Sequence, residues 1–278
     1  LLSFFVYGGD FVALQLATII GMTVNMKHGA KGPWKVYTRF LMPPPPDGAE
    51  EERDTTGLIP QQYLWELDSD HSVLQGELTL YFSREEIEEL RNRNPFRSFP
   101  YQEFEKNITL LFKEQVNEYH IKKINRYILT RAYEEELSGL ETMQFILDFV
   151  QEPNIRYLAD DQSAETGNIE YARFPVETLF DKHGDCDCKA VLAAALFRQA
   201  GYKVAYVVSH NHAAIAVACP PEWLRMNNGD YLRQENQALI DKDGAFYYFC
   251  ETTGDAFRIG DYGESTRPED FKNFIFLK

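Results

Sequence analysis

The chain has 278 residues, a formal net charge of −15 and an apolar fraction of 44%, values typical of a folded protein with a sizeable core in one large domain or two small ones. The acidic balance argues against a nucleic-acid partner, because phosphates would be repelled. Four cysteines in a chain of this size indicate a protein that does not depend on disulfides.

Residues 1–26 form an apolar stretch that carries a single formal charge, Asp10. This length matches a helix that crosses the hydrocarbon core of a bilayer, and we favour a membrane segment. A buried hydrophobic element of a folded domain is the alternative, because an acidic side chain is costly in lipid. The first interpretation predicts a membrane-associated protein with this segment as its anchor, and it leaves open the side of the membrane.

Residues 27–60 are predicted to connect this segment to the rest of the chain. Basic residues come first, at positions such as Lys27 and Lys31. The prolines at 43–46 then enforce an extended spacer, and the acidic run after them is expected to be solvated. We therefore expect a domain boundary within this stretch.

Residues 61–139 are predicted to contain strands followed by long helices. The pattern of residues 63–82 predicts strands and turns, with LTLYF as the clearest strand. Ser83, followed three residues later by Glu86, predicts the capped start of a helix. Apolar residues at three- and four-residue steps between 102 and 140 predict one long amphipathic helix or two.

Residues 140–278 are predicted to form the core of the fold. A helix over 140–152 is ended by Pro153, and a second apolar helix starts near Cys186 and ends at Gly201. Short β-rich runs follow, as expected for an antiparallel sheet, and the fold class is therefore α+β. These runs cover residues 203–209, 213–219, 246–252 and 273–277.

The sequence GDCDC at 184–188 places two cysteines where a loop becomes a helix. Cys186 and Cys188 are too close in sequence to bond to each other with normal disulfide geometry. Cys186 falls in the first helical turn, where free backbone N–H groups and the helix dipole favour a thiolate. Cys188 points away from the face that Cys186 uses, and we interpret it as a small buried residue.

A thiolate nucleophile needs a base and an acid that orients the base. His212 lies where one predicted strand ends and the next begins, and Glu251 follows the third strand. A helix start and two strand ends can bring Cys186, His212 and Glu251 together as a catalytic triad. His210, on the same side of an extended chain as His212, is the alternative base.

A zinc site is the competing interpretation of this region. His183, His210 and His212 lie close in sequence to the two cysteines. Structural zinc sites use cysteines spaced by two to four residues, and a C-x-C pair with scattered histidines is a poor match. We therefore predict no metal and no cofactor.

The segments EYARFPVETLFDKHGDCDCKAVLAAALFRQAGYKVAYVVSHNHAAIAV and YYFCETTGDAFRIGD resemble the transglutaminase-like superfamily of papain-fold thiol enzymes. The resemblance covers about residues 140–262 and is closest to prokaryotic members with a GDC helix start and an ETTG strand end. It implies that Cys186 is the nucleophile, His212 the general base and Glu251 the orienting acid. Cys188 departs from the pattern, because many members carry an acid there.

The resemblance implies a papain-like fold in which a helix headed by the nucleophilic cysteine packs on an antiparallel sheet. It also implies acyl transfer on amide substrates, in a protein or peptide, through a thioester intermediate. Transfer to water would make the protein a protease or amidase, and transfer to an amine a transglutaminase. The alternative is a catalytically silent binding domain that serves as a scaffold in a membrane complex.

Overall fold

The structure is a computed structural model that describes residues 23–27, 35–39, 54–69, 72–97, 103–116, 118–159, 171–209, 212–220, 240–242, 244–263, 267–271 and 273–277. The described residues combine helices with sheets that are mostly antiparallel, which confirms the α+β prediction. The helices are α1 (Arg84–Arg93), α2 (Phe104–Gln115), α3 (Tyr119–Glu134), α4 (Gly139–Val150), α5 (Pro175–Asp181) and α6 (Cys186–Gln199). The strands are β1 (Thr23–Lys27), β2 (Lys35–Arg39), β3 (Ile59–Ser69), β4 (Ser72–Phe82), β5 (Arg156–Tyr157), β6 (His183–Gly184), β7 (Val204–Val208), β8 (Ala213–Ala218), β9 (Ile240–Lys242), β10 (Ala245–Cys250) and β11 (Asn273–Leu277).

Strands β3 and β4 form a long antiparallel hairpin, as the pattern of residues 63–82 predicts. Alternate residues of both strands are buried, so one face of the hairpin packs on the core. Tyr63 and Trp65 lie on that face, with ring centroids 5.5 and 5.0 Å from the ring of Phe149 in α4. A Cβ atom on Gly76 would lie 2.4 Å from the Trp65 indole, so a glycine is required opposite this tryptophan.

Two helix starts follow directly from the sequence. The Ser83 side chain accepts a hydrogen bond from the Glu86 N–H group at the start of α1, as predicted. At the start of α4, Ser138 and Glu141 form a reciprocal capping box, with bonds of 3.2 and 2.7 Å. The bounds of α4 agree with the helix predicted over 140–152.

The amphipathic pattern between residues 102 and 140 corresponds to two helices, α2 and α3. The break is set by Glu118, whose backbone is extended. Its carboxylate accepts hydrogen bonds from the N–H groups of His120 and Ile121, at 2.7 and 3.3 Å. This capping starts α3 as a new helix rather than a continuation of α2.

Helix α6 is the central element of the fold. Its residues from 187 to 197 are all buried, which is possible because alanines at positions 190 and 193–195 allow neighbouring elements to approach from several sides. The side chain of Asp185 caps its first turn, and Gly201 adopts a φ of +91° just beyond its end. The cysteine-headed helix is therefore rigidly held by its surroundings.

Helix α6 packs on one face of a five-stranded antiparallel sheet with the order β11-β7-β8-β10-β9. Tyr206 and Ile215 face the helix, whereas Val207 and Phe249 belong to a second core cluster on the opposite face. Ile215 of β8 lies opposite Cys250 of β10 in antiparallel register. The start of β8 and the end of β10 therefore lie at the same end of the sheet.

Several sequence predictions fall on residues that the structure does not describe. Of residues 1–26, only 23–26 are described, as part of β1, and the prolines at 43–46 lie outside the described residues. Within the described part of the chain, no helix has the length and apolar character needed to cross a bilayer. The membrane segment and the division into domains stay predictions.

Candidate active site

Cys186 is the first residue of α6, directly after the capping residue Asp185. The Asp185 carboxylate accepts a hydrogen bond from the Cys188 N–H group at 3.3 Å, which fixes the first turn. Gly184 precedes the cap, and a Cβ atom there would lie 2.6 Å from the Cys188 Cβ. The tight approach of the loop to the helix therefore requires a glycine at this position.

The Cys186 thiol lies against the start of strand β8. The backbone N–H group of Ala213, the residue that follows His212, lies close enough to the Cys186 thiol to act to lower its pKa. Cys186 is partly exposed, whereas the other three cysteines of the chain are buried. The structure thus brings the head of α6 to the strand start where the sequence predicts the general base.

His212 and Glu251 are joined across the sheet. The His212 Nε2 atom lies 2.9 Å from the Glu251 Oε2 atom, at hydrogen-bonding distance. The antiparallel register of β8 and β10 explains this contact, because both residues lie at the same end of the sheet. Since Nε2 is used in this bond, Nδ1 is the ring nitrogen left for an exchange of protons with a nucleophile.

Glu251 is held as a charged acceptor. Its Oε1 atom accepts hydrogen bonds from the Thr252 N–H, the Thr253 N–H and the Thr253 hydroxyl, at 2.9, 2.9 and 2.7 Å. Burial acts to raise the pKa of Glu251, but the bond from His212, the His212 charge and the bonds from Thr253 outweigh it. The pKa of Glu251 therefore lies below its ordinary value, and the carboxylate is ionised at neutral pH.

The electrostatics of Cys186 contradict the prediction of a resting thiolate. Burial and the charges of the nearby Asp187 and Asp185 carboxylates together raise the pKa of the Cys186 thiol to about 12. The bonds from the Ala213 and Asp187 N–H groups act in the opposite direction but do not offset these effects. Desolvation and the two acidic side chains therefore outweigh the favourable effect of the helix N-terminus.

Cys188 lies in a different environment from Cys186. It is fully buried, and its sulfur accepts hydrogen bonds from the Arg173 N–H group at 3.3 Å and from the Arg173 guanidinium at 3.4 Å. The thiol donates to the Tyr171 carbonyl oxygen at 3.6 Å. Cys188 therefore anchors the segment before α5 to the first turn of α6, as expected for a buried residue.

The residues considered for zinc are not assembled as one ligand set among the described residues, and His210 lies outside them. One set of possible metal ligands lies among the described residues at the head of α6, where atoms of Asp185, Asp187 and Cys188 all lie within 4.8 Å of one another. The Arg173 guanidinium already contacts the Cys188 sulfur of this group. A positive charge is therefore in place where a cation would have to bind.

Lys189 is a charged residue near the site that the sequence did not point to. Its side chain is fully buried, and its Nζ donates to the Ile155 carbonyl oxygen. Burial lowers the pKa of Lys189 to about 8, while the charges of Glu152 and Glu251 act to raise it. A lysine on a helix normally reaches solvent, so only the surrounding fold reveals this buried charge.

A family model described as Transglutaminase-like superfamily matches residues 125–238. The matched range includes Cys186 and His212, and Glu251 lies beyond it. No curated protein and no solved structure matches the chain. The match confirms the family resemblance, whereas assignment to the prokaryotic branch stays a prediction. Residues 125–238 are therefore identified as a transglutaminase-like domain.

Proposed function

We propose that this protein catalyses cysteine-dependent acyl transfer on amide substrates, with Cys186 as nucleophile, His212 as base and Glu251 as the acid that orients the base. The observation that carries the proposal is the contact of the Cys186 thiol with Ala213, next to a His212 ring bonded to Glu251 at 2.9 Å. Three separate chain segments supply these groups, and a catalytic triad is recognised by such geometry rather than by sequence position.

The first step of the proposed reaction begins from a neutral thiol. The Cys186 proton passes to His212 Nδ1 as the sulfur attacks the carbonyl carbon of the amide, forming a carbon–sulfur bond. The carbonyl oxygen takes up the negative charge, and the backbone N–H group of Cys186 is the donor available to it at the helix head. The Glu251 carboxylate stabilises the imidazolium that results.

The second step breaks the amide. The His212 imidazolium returns its proton to the leaving amine, the carbon–nitrogen bond breaks, and a thioester on Cys186 remains. A water molecule or a second amine then attacks the thioester and gives a proton to His212, and the sulfur leaves to be protonated again. The first acceptor gives hydrolysis, and the second gives transamidation of a protein or peptide.

The second candidate function is a silent binding domain in a membrane complex. The high pKa and partial burial of Cys186 are the observations that favour it, since a thiol that never ionises would be inert. Anchoring through residues 1–26 is compatible with both functions. The reactivity of Cys186 separates them.

Iodoacetamide at pH 7 should alkylate Cys186 far faster than the other three cysteines, measured for each cysteine by peptide mass spectrometry. Exposure alone favours Cys186 over the three buried cysteines, so the rate itself also decides: a thiol whose pKa is raised to about 12 reacts slowly at pH 7 unless a base assists it. The variant Cys186→Ala should leave labelling of the other cysteines unchanged. Equal, slow labelling of all four cysteines would support the silent domain.

A further inference from the structure

Tyr206 lies in the middle of β7, on the sheet face that packs against α6. Its side chain is fully buried, and among the residues that the structure describes its hydroxyl has no hydrogen-bond partner. A buried hydroxyl without a partner reduces the stability of a folded protein. Its presence at such a position therefore calls for a functional explanation.

The strand register places Tyr206 close to the candidate nucleophile. Tyr206 pairs with Ile215 of β8, and Ala213 is the next residue of β8 on the same face. Diagonal neighbours in an antiparallel pair are about 7–8 Å apart, within reach of an aromatic side chain. The N–H group of Ala213 is close enough to the Cys186 thiol to act to lower its pKa.

The titratable groups that act on the Tyr206 hydroxyl lie at the head of α6. Burial raises the pKa of Tyr206 well above its ordinary value, and Asp187, Cys186 and Asp185 add to this effect in that order. The hydroxyl therefore remains protonated at neutral pH. The phenolic O–H group is a hydrogen-bond donor that can point its proton toward negative charge at this point.

We propose that Tyr206 is a positioning residue whose hydroxyl proton offsets the charges of Asp185 and Asp187 while the Cys186 sulfur becomes a thiolate. This inference rests on the proposed function of Cys186. It explains how a sulfur beside two carboxylates can ionise during attack. It also explains why the hydroxyl is unused in the resting protein.

The test compares wild type with Tyr206→Phe and with a matched control, Tyr262→Phe. Tyr262 also has a buried hydroxyl without a partner among the described residues, but it packs in the cluster on the opposite face of the sheet, stacked on Phe249. The rate constant for Cys186 alkylation by iodoacetamide is measured from pH 6 to 10, together with the melting temperature of each protein.

We expect Tyr206→Phe to slow alkylation at pH 7 about tenfold and to move the pH profile upward by about one unit, as loss of one hydrogen bond to a charged group predicts. Its melting temperature should equal or exceed that of wild type, because the substitution removes an unpartnered hydroxyl. Tyr262→Phe should leave the alkylation rate and its pH profile unchanged.

Each other outcome overturns the inference. A wild-type pH profile in Tyr206→Phe, with Cys186 still the most reactive cysteine, would remove the role of Tyr206 and leave the proposed function in place. A marked fall in its melting temperature would show that the hydroxyl has a structural role instead. If Cys186 is unreactive in wild type, the proposed function fails and the inference fails with it.

Discussion

We expect His212→Ala to slow the alkylation of Cys186 at pH 7 by at least about 100-fold, the usual contribution of a positioned base. The structure gives a clear reason for so large an effect. Burial and two carboxylates raise the pKa of the Cys186 thiol to about 12, so the sulfur depends on a base to lose its proton at neutral pH. The measurement is the rate of Cys186 modification by iodoacetamide as a function of pH.

The pH profile of Cys186 alkylation should also differ between wild type and His212→Ala. Without His212, the reactivity of Cys186 should rise steadily with pH toward the raised pKa of its buried thiol, about 12, because only the directly ionised sulfur reacts. With His212 present, reactivity should already be substantial near neutral pH. His183→Gln is the matched control. His183 lies three residues before Cys186, and among the described residues no hydrogen bond joins it to Cys186 or Glu251. A wild-type rate in His212→Ala at pH 7 would contradict the role of His212.

We expect Glu177→Ala to lower the free energy of unfolding by about 3–5 kcal/mol, the range found when one partner of a buried charged network is removed. Glu177 is completely buried. Its carboxylate accepts hydrogen bonds from the Asn94 amide at 3.1 Å, the Tyr171 hydroxyl at 2.8 Å and the Phe174 N–H group at 2.7 Å. Loss of the carboxylate leaves these three donors without this acceptor.

Urea unfolding is the measurement for this second prediction, with Glu89→Ala as the matched control. Glu89 is an exposed glutamate on α1, and its removal should change the free energy of unfolding by no more than about 0.5 kcal/mol. The Glu177 network holds residues 171–174 against Cys188, so the variant should also loosen the head of α6. A loss similar to that of the control would show that the network is not a stabilising unit.

Local chemistry made much of the fold predictable. Ser83 starts a helix because its hydroxyl bonds to an N–H group three residues ahead, and this signal is complete within four residues of sequence. The alternating burial of β3 and β4 and the short β-rich runs after Gly201 have the same local character. These elements are predictable because the contacts that stabilise them join residues close together in the sequence.

Helix α5 was missed because it lacks the usual signal for a helix start. Its capping residue, Phe174, has no side chain that can bond to the N–H groups of the first turn. The helix begins instead with Pro175, and the Glu177 carboxylate accepts a bond from the Phe174 N–H group. Proline followed by glutamate two residues later was the available signal.

The electrostatics of the site could not be read from the sequence. The GDC motif correctly indicates that Cys186 lies at the head of a buried helix. The pKa of the Cys186 thiol, however, depends on desolvation and on where Asp185 and Asp187 lie in space. The buried charge of Lys189 and the unpartnered hydroxyl of Tyr206 are likewise products of packing between distant segments. Sequence patterns specify which groups are present, and the fold sets their ionisation.

Detection of a thioester on Cys186 is the most direct test of the proposed chemistry. A thiol-reactive acyl probe is incubated with wild type, Cys186→Ala and His212→Ala, and the acylated residue is identified by peptide mass spectrometry. We expect an acyl group on Cys186 in wild type, its loss in Cys186→Ala and much slower formation in His212→Ala. Absence of this adduct in folded wild type, or equal acylation of the Cys186→Ala variant, would contradict the proposed chemistry.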